Sequence, residues 1–147
     1  GELLPVQPPK PVGISDEAIA VAQGGMNGVS NEPGGTAYRS RIPEPGMELA
    51  GKTGTAQVRR ISRAERLSGV LKNEDLEWRQ RDHALFVCFA PYDAPRYALS
   101  VVIEHGGSGS GAAAPVARDI MREVLTRNPV RPQAKTPSGN PNSSRAG

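Results

Sequence analysis

The chain has 147 residues, 37% of them apolar, with 17 Gly, 14 Pro and a formal charge of +3, which suffices for one domain of modest core and leaves part of the chain too polar to pack. Basic residues are interspersed with acids, the sequence pI is about 9.4 and only 4% of residues are aromatic, so a stacking platform for single strands is poorly supplied and no nucleic-acid partner is expected. Cys88 is the only cysteine, which excludes an intrachain disulfide and a multi-Cys metal site; no apolar run approaches the roughly 18 residues that cross a bilayer.

Residues 1–14 read as an extended Pro-rich lead-in, since Pro5, Pro8, Pro9 and Pro11 cannot build a helix. A chain that opens on Gly1 inside such a stretch reads as a piece of something longer, whose missing N-terminal part would be its first partner. Ser15 can cap a helix with Asp16 and Glu17 in its first turn. Ile19, Ala22, Met26 and Val29 then recur at helical spacing, and Asn31-Glu32-Pro33-Gly34-Gly35 ends the helix as a turn.

The next segment fits two unrelated motifs. Gly46 to Thr53 fits Gly-x-x-x-x-Gly-Lys-[Ser/Thr], the phosphate loop of nucleotide-binding modules. Lys52-Thr53-Gly54-Thr55 fits the Lys-Thr-Gly element of penicillin-binding proteins and serine β-lactamases. A phosphate loop needs a buried strand before it and a helix starting at its Lys-Thr. Before Gly46 stand Arg39, Arg41, Pro43 and Pro45, which argue against a central strand. After Thr53 come Gly54 and the β-branched Thr55 and Val58, which disfavour a helix. Met47–Val58 is therefore expected to be a strand. Gly51 and Gly54 weaken a strand interior, and close approach of a ligand to the backbone is one reason to keep them. A lysine between glycines, followed by hydroxyls, suits an anionic substrate. The plain alternative is a surface edge strand whose Lys52 is only solvated.

Residues 59–82 carry seven basic and five acidic side chains and read as a solvated, partly helical insertion with Trp78 as its anchor onto the domain. If this segment were a contact surface, the chain would be a non-catalytic interaction module. Ala84–Ala90 is apolar on both alternating faces, as in a central strand covered on both sides. After a turn at Pro91–Pro95, Tyr97, Leu99, Val101 and Ile103 line one face of a second strand, making a hairpin. Gly106–Gly111 reads as a flexible loop. Pro115 suits the start of a helix in which Val116, Ile120 and Val124, with Met121 and Leu125, form the apolar stripe. The tail, 128–147, has almost nothing to bury and is expected to be disordered. The fold class is α+β, helices on an antiparallel sheet, with the Lys52 strand beside the hairpin and 15–127 as the folded part. Cys88 lies in an apolar run and reads as a buried, inert thiol. His83 and His105, the only histidines, stand without a visible serine and carboxylate, and both read as structural.

Read in order, Gly25-Met26-Asn27-Gly28-Val29, Gly35-Thr36-Ala37, Ala50-Gly51-Lys52-Thr53-Gly54-Thr55-Ala56-Gln57-Val58, Asp82-His83-Ala84-Leu85-Phe86-Val87, Phe89-Ala90-Pro91-Tyr92, Glu104-His105-Gly106-Gly107 and Ala113-Ala114-Pro115-Val116-Ala117 resemble class B penicillin-binding proteins. The resemblance is to the elongation-type group, penicillin-binding protein 2, and covers about residues 3–127. It implies part of a β-lactamase/transpeptidase-like fold and a cofactor-free, metal-free serine D,D-transpeptidase at the periplasmic face of the bacterial inner membrane. The implied substrate is a peptidoglycan stem peptide, with β-lactams as its mimics, and the implied partners are elongation-machinery membrane proteins. In such enzymes a serine attacks the D-Ala-D-Ala bond, and an amine from a neighbouring strand resolves the acyl-enzyme into a cross-link.

By the same resemblance Lys52 supplies positive potential, Thr53 and Thr55 offer hydroxyls to the substrate carboxylate, Gly54 lets the substrate backbone approach, and the Thr55 amide is one of two oxyanion donors. Lys52 and Thr55 are thus the implied catalytic residues, and Thr53, Gly54 and Thr55 the implied substrate contacts. Simple alternation places Lys52 and Thr55 on opposite faces, so strand twist or in-plane reach must reconcile them. The chain also departs from the pattern. No serine has a lysine three residues on, and the only Ser-x-Asn, Ser138-Gly139-Asn140, follows the Lys-Thr-Gly instead of preceding it. The segment would thus carry one wall of a cleft without its nucleophile, and alone it should be inactive.

Overall fold

The computed structural model describes residues 13–128. The lead-in expected over 1–14 and the tail expected over 128–147 lie outside the described residues except at 13, 14 and 128. Helix α1, Asp16–Asn31, starts where Ser15 Oγ accepts a hydrogen bond from the Ala18 amide at 3.3 Å. Its other end is tied to the sheet by Asn31, whose Nδ2 donates to the Leu49 carbonyl at 2.9 Å. A 3₁₀ turn, Tyr38–Ser40, follows.

Three strands form one antiparallel sheet in the order β1 (Ala50–Ala56), β2 (His83–Ala90), β3 (Tyr97–Ile103). β1 is shorter than the expected 47–58 but sits beside the hairpin as expected. In β2, Ala84, Phe86, Cys88 and Ala90 are buried, and they share a core with Ala114, Ala117, Met121 and Leu125 of helix α3, Ala114–Arg127. Covering on both faces does not hold: the alternate residues Leu85 and Phe89 are half-buried and Val87 is 44% exposed. β3 follows the expected alternation, with Tyr97, Leu99, Val101 and Ile103 turned to the core.

Two further expectations need correction. The buried stripe of α3 is centred on Ala114, Ala117, Met121 and Leu125, while Val116 and Ile120 are 40% and 43% exposed. Small alanines at the contact let the helix lie close on the strands, so the bulkier β-branched residues fall at its margin. Residues 106–111 are also not simply a loop, because Gly109–Ala113 form a π-helical turn that runs into α3. Ser108 Oγ accepts from the Gly111 amide at 3.4 Å. A Cβ on Gly109 would lie 2.5 Å from the carbonyl oxygens of both Gly54 and Leu85, so only glycine lets this turn seat against β1 and β2.

The charged segment 59–82 is partly helical as expected: α2, Arg63–Ser68, opens on a capping box between Ser62 and Glu65, and two 3₁₀ turns follow at Asn73–Asp75 and Trp78–Gln80. None of these three elements buries a residue. Trp78 is 57% exposed and reaches the domain edge-on through His105, ring centres 4.6 Å apart. The firmer anchor is Asp82. Its carboxylate accepts from the Val58 amide at 3.3 Å and Asn73 Nδ2 at 3.2 Å. Its amide donates to Asn73 Oδ1 at 2.8 Å, and its carbonyl accepts from the Gly107 amide at 2.8 Å.

Candidate active site

Lys52 lies in the middle of β1, which is an edge strand of the described sheet. A strand begins at Ala50, inside the segment that a phosphate loop would need as a loop, and no helix starts at Lys52. The nucleotide reading of Gly46–Thr53 is therefore wrong: its lysine has neither the preceding strand nor the helix amides that hold phosphates.

The sheet geometry orients the strand's polar groups. Lys52 and Gly54 stand opposite Val87 and Leu85. A Cβ on Gly51 would lie 2.9 Å from the Val87 carbonyl oxygen and one on Gly54 4.0 Å from that of Leu85, so these carbonyls point towards β1. In an antiparallel ladder the residues that bond the neighbour alternate with residues whose N–H and C=O face the other way. Lys52 and Gly54 thus bond β2, and the backbone groups of Thr53 and Thr55 emerge on the open edge. Lys52 Nζ donates to the Thr53 carbonyl at 2.8 Å, which brings its charge into the plane of the sheet at that edge. In-plane reach, not twist, brings the Lys52 ammonium and the Thr55 amide to one border of the strand.

The two threonines differ. Thr53 Oγ1 lies 3.0 Å from Thr36 Oγ1, whereas the Thr55 side chain is exposed and makes no hydrogen bond among the described residues. The glycines differ as well. A Cβ on Gly51 would stand 2.3 Å from Phe86 Cζ, so Gly51 makes room for the core aromatic and not for a ligand. A Cβ on Gly54 meets only an ordinary contact, 3.4 Å from Leu85 Cβ, so packing against its neighbours does not explain this glycine.

Other reactive side chains are spoken for. Cys88 is 3% exposed, and burial pushes its thiol up to about 11, the opposite of an activated nucleophile. His83 Nδ1 accepts from the His105 amide at 2.9 Å. His105 Nδ1 lies 3.0 Å from the Arg81 carbonyl, which can only accept, so this nitrogen carries the proton. Both rings serve the junction of β2, β3 and the insertion, as expected. Among the described residues no group of three or more His, Cys, Asp and Glu is placed to hold a metal ion.

Sequence reasoning left Thr36, Gly109 and Asp82 without roles. Each lies in or beside a segment that carries the family resemblance, but what each touches is 9 to 55 residues away along the chain, and no local pattern encodes that.

A fold of this kind with a Lys-Thr-Gly strand on its edge defines a transpeptidase-like module. The family model described as penicillin binding protein transpeptidase domain matches residues 5–122, and the chain belongs to that family. More particularly, it is similar to the peptidoglycan D,D-transpeptidase MrdA of Escherichia coli, 37% identical over 85% of this chain and 19% of the relative. It is likewise similar to that of Acinetobacter baumannii, 45% identical over 62% of this chain and 13% of the relative. The structure of penicillin-binding protein PBP2 in complex with MreC from Helicobacter pylori superposes with a TM-score of 0.59 at 29% identity, covering 76% of this chain and 18% of that one. The chain thus spans less than a fifth of the length of these relatives.

Proposed function

We propose that the chain is the Lys-Thr-Gly wall of a serine D,D-transpeptidase that cross-links peptidoglycan at the periplasmic face of the inner membrane during elongation. The observation that carries the reading is the open edge of β1, where the Lys52 ammonium meets the Thr53 carbonyl on the border to which the Thr55 backbone also turns, in a chain of the transpeptidase family. An extended stem peptide, or a β-lactam imitating its end, would pair along this edge as an added strand. Its terminal carboxylate would meet Lys52 and the Thr53 and Thr55 hydroxyls. The Thr55 amide would receive the oxyanion that forms when the serine, supplied by the full-length protein, attacks. Charge developing at that oxygen is where preorganised donors act most strongly, each worth about 3–4 kcal/mol of barrier. Contact with a membrane partner comparable to the MreC bound to the Helicobacter pylori relative belongs to the same proposal.

The test is acylation of the full-length protein by labelled penicillin. Lys52→Ala should slow it by about two orders of magnitude, the scale of one lost electrostatic contact. An unchanged rate in that variant would remove Lys52 from the mechanism. The 147-residue chain alone, with no Ser-x-x-Lys, should show no penicilloyl adduct by mass spectrometry, because a serine without a base in reach is a weak nucleophile.

A further inference from the structure

Beside the Thr53 hydroxyl lies a second polar feature that the transpeptidase reading does not use. A cavity of about 310 Å³ is lined by Gly35, Thr36, Arg39, Ser40, Ser110 and Gly111. It adjoins the Lys-Thr-Gly strand through Thr36, whose hydroxyl is 3.0 Å from that of Thr53. Its one charged lining residue is Arg39; Thr36, Ser40 and Ser110 are its hydroxyl-bearing residues, with Ser110 Oγ 3.0 Å from Ser108 Oγ, and no Asp or Glu lines it. Arg39 makes no ion pair or side-chain hydrogen bond among the described residues. Its neighbour Arg41 is spent on Tyr38, over whose ring it lies at 4.1 Å and to whose carbonyl it donates at 3.1 Å.

A concavity lined by one unpaired planar cation and hydroxyl-bearing residues, with no acidic residue, matches a carboxylate, which accepts from a guanidinium through two parallel bonds. We infer that this cavity is a second anion subsite, in which Arg39 binds a side-chain carboxylate of the peptide whose terminal carboxylate occupies the Lys-Thr-Gly strand. The inference rests on the function proposed above and adds a specificity element to it: donor peptides with an acidic side chain are preferred over their amidated forms.

The experiment uses the full-length protein and two peptides that end in D-Ala-D-Ala and differ only in one side chain, carboxylate against carboxamide. Equilibrium binding is measured by titration calorimetry for the wild type, Arg39→Ala and Arg39→Lys. The wild type should bind the acidic peptide about tenfold tighter, which corresponds to about 1.4 kcal/mol. Arg39→Ala should remove that preference while leaving the amidated peptide unaffected, and Arg39→Lys should restore part of it. Equal binding of the two peptides by the wild type would overturn the inference, as would a preference that survives in Arg39→Ala. Penicillin acylation of the wild type, measured alongside, speaks to the proposed function alone, so its failure is distinguishable from loss of the acid preference.

Discussion

Single positions in this chain are set by what crosses over to meet them. Gly51 and Gly54 look alike in the sequence, two glycines in one strand, yet Phe86 requires the first and nothing in the packing requires the second. Cys88 is set by its surroundings in the same way. Its thiol is pushed up to about 11 by burial, so the folded chain keeps a proton that the unfolded chain gives up near pH 8.5. Above that pH the unfolded state binds fewer protons, and stability must fall as pH rises towards 11. The thermal midpoint should accordingly be insensitive to Cys88 at pH 7 and decline between about pH 9 and 11, and Cys88→Ala should decline less over the same range. Equal declines would show that the thiol ionises as freely in the fold as out of it.

Among elements, the strands and the two long helices were legible because each carries its own period. Ser15, the helical spacing after it and the alternation of Tyr97, Leu99, Val101 and Ile103 are local signals, and the structure follows them. Elements held by distant contacts were not legible. The glycines of 106–111 read as flexibility, but burial of Gly109 against Gly54 and Leu85 turns part of that run into a π-helical turn. The phosphate-loop pattern was a coincidence of spacing, excluded by the strand it sits in. The insertion's grip also escaped the sequence, where Trp78 was the visible anchor and Asp82 the working one. Hydrogen bonds to a charged group contribute about 1.5–3 kcal/mol. Asp82→Ala should therefore leave the circular dichroism of the core unchanged and speed tryptic cleavage within 59–82 by about tenfold or more. A cleavage rate equal to that of the wild type would show that the segment is held by other contacts.

At the scale of the whole molecule, the two faces of the sheet are covered unequally among the described residues. Helix α3 seals one face of the sheet, and the other presents Val87 and Val102, 44% and 56% exposed. Each large side chain left in water forgoes about 1.5–3 kcal/mol, against a usual domain stability of about 5–15 kcal/mol. The 147-residue chain alone should therefore self-associate, with a sedimentation coefficient that rises with concentration, and Val87→Thr with Val102→Thr should reduce the rise. A wild-type chain that stays monomeric throughout would show that this face is tolerated in water. The open border of β1 sets a further condition. A border that receives an extended peptide by backbone pairing receives any extended chain, including another copy of itself, and natural sheets guard such borders with charge. Lys52, folded across the Thr53 carbonyl, is the guard that a neutral strand would have to displace, and under the proposed function it would also be the charge offered to an anionic substrate. Under the proposed function, attraction of the peptide's terminal carboxylate and protection of this border from a second chain would then fall to the same ammonium group.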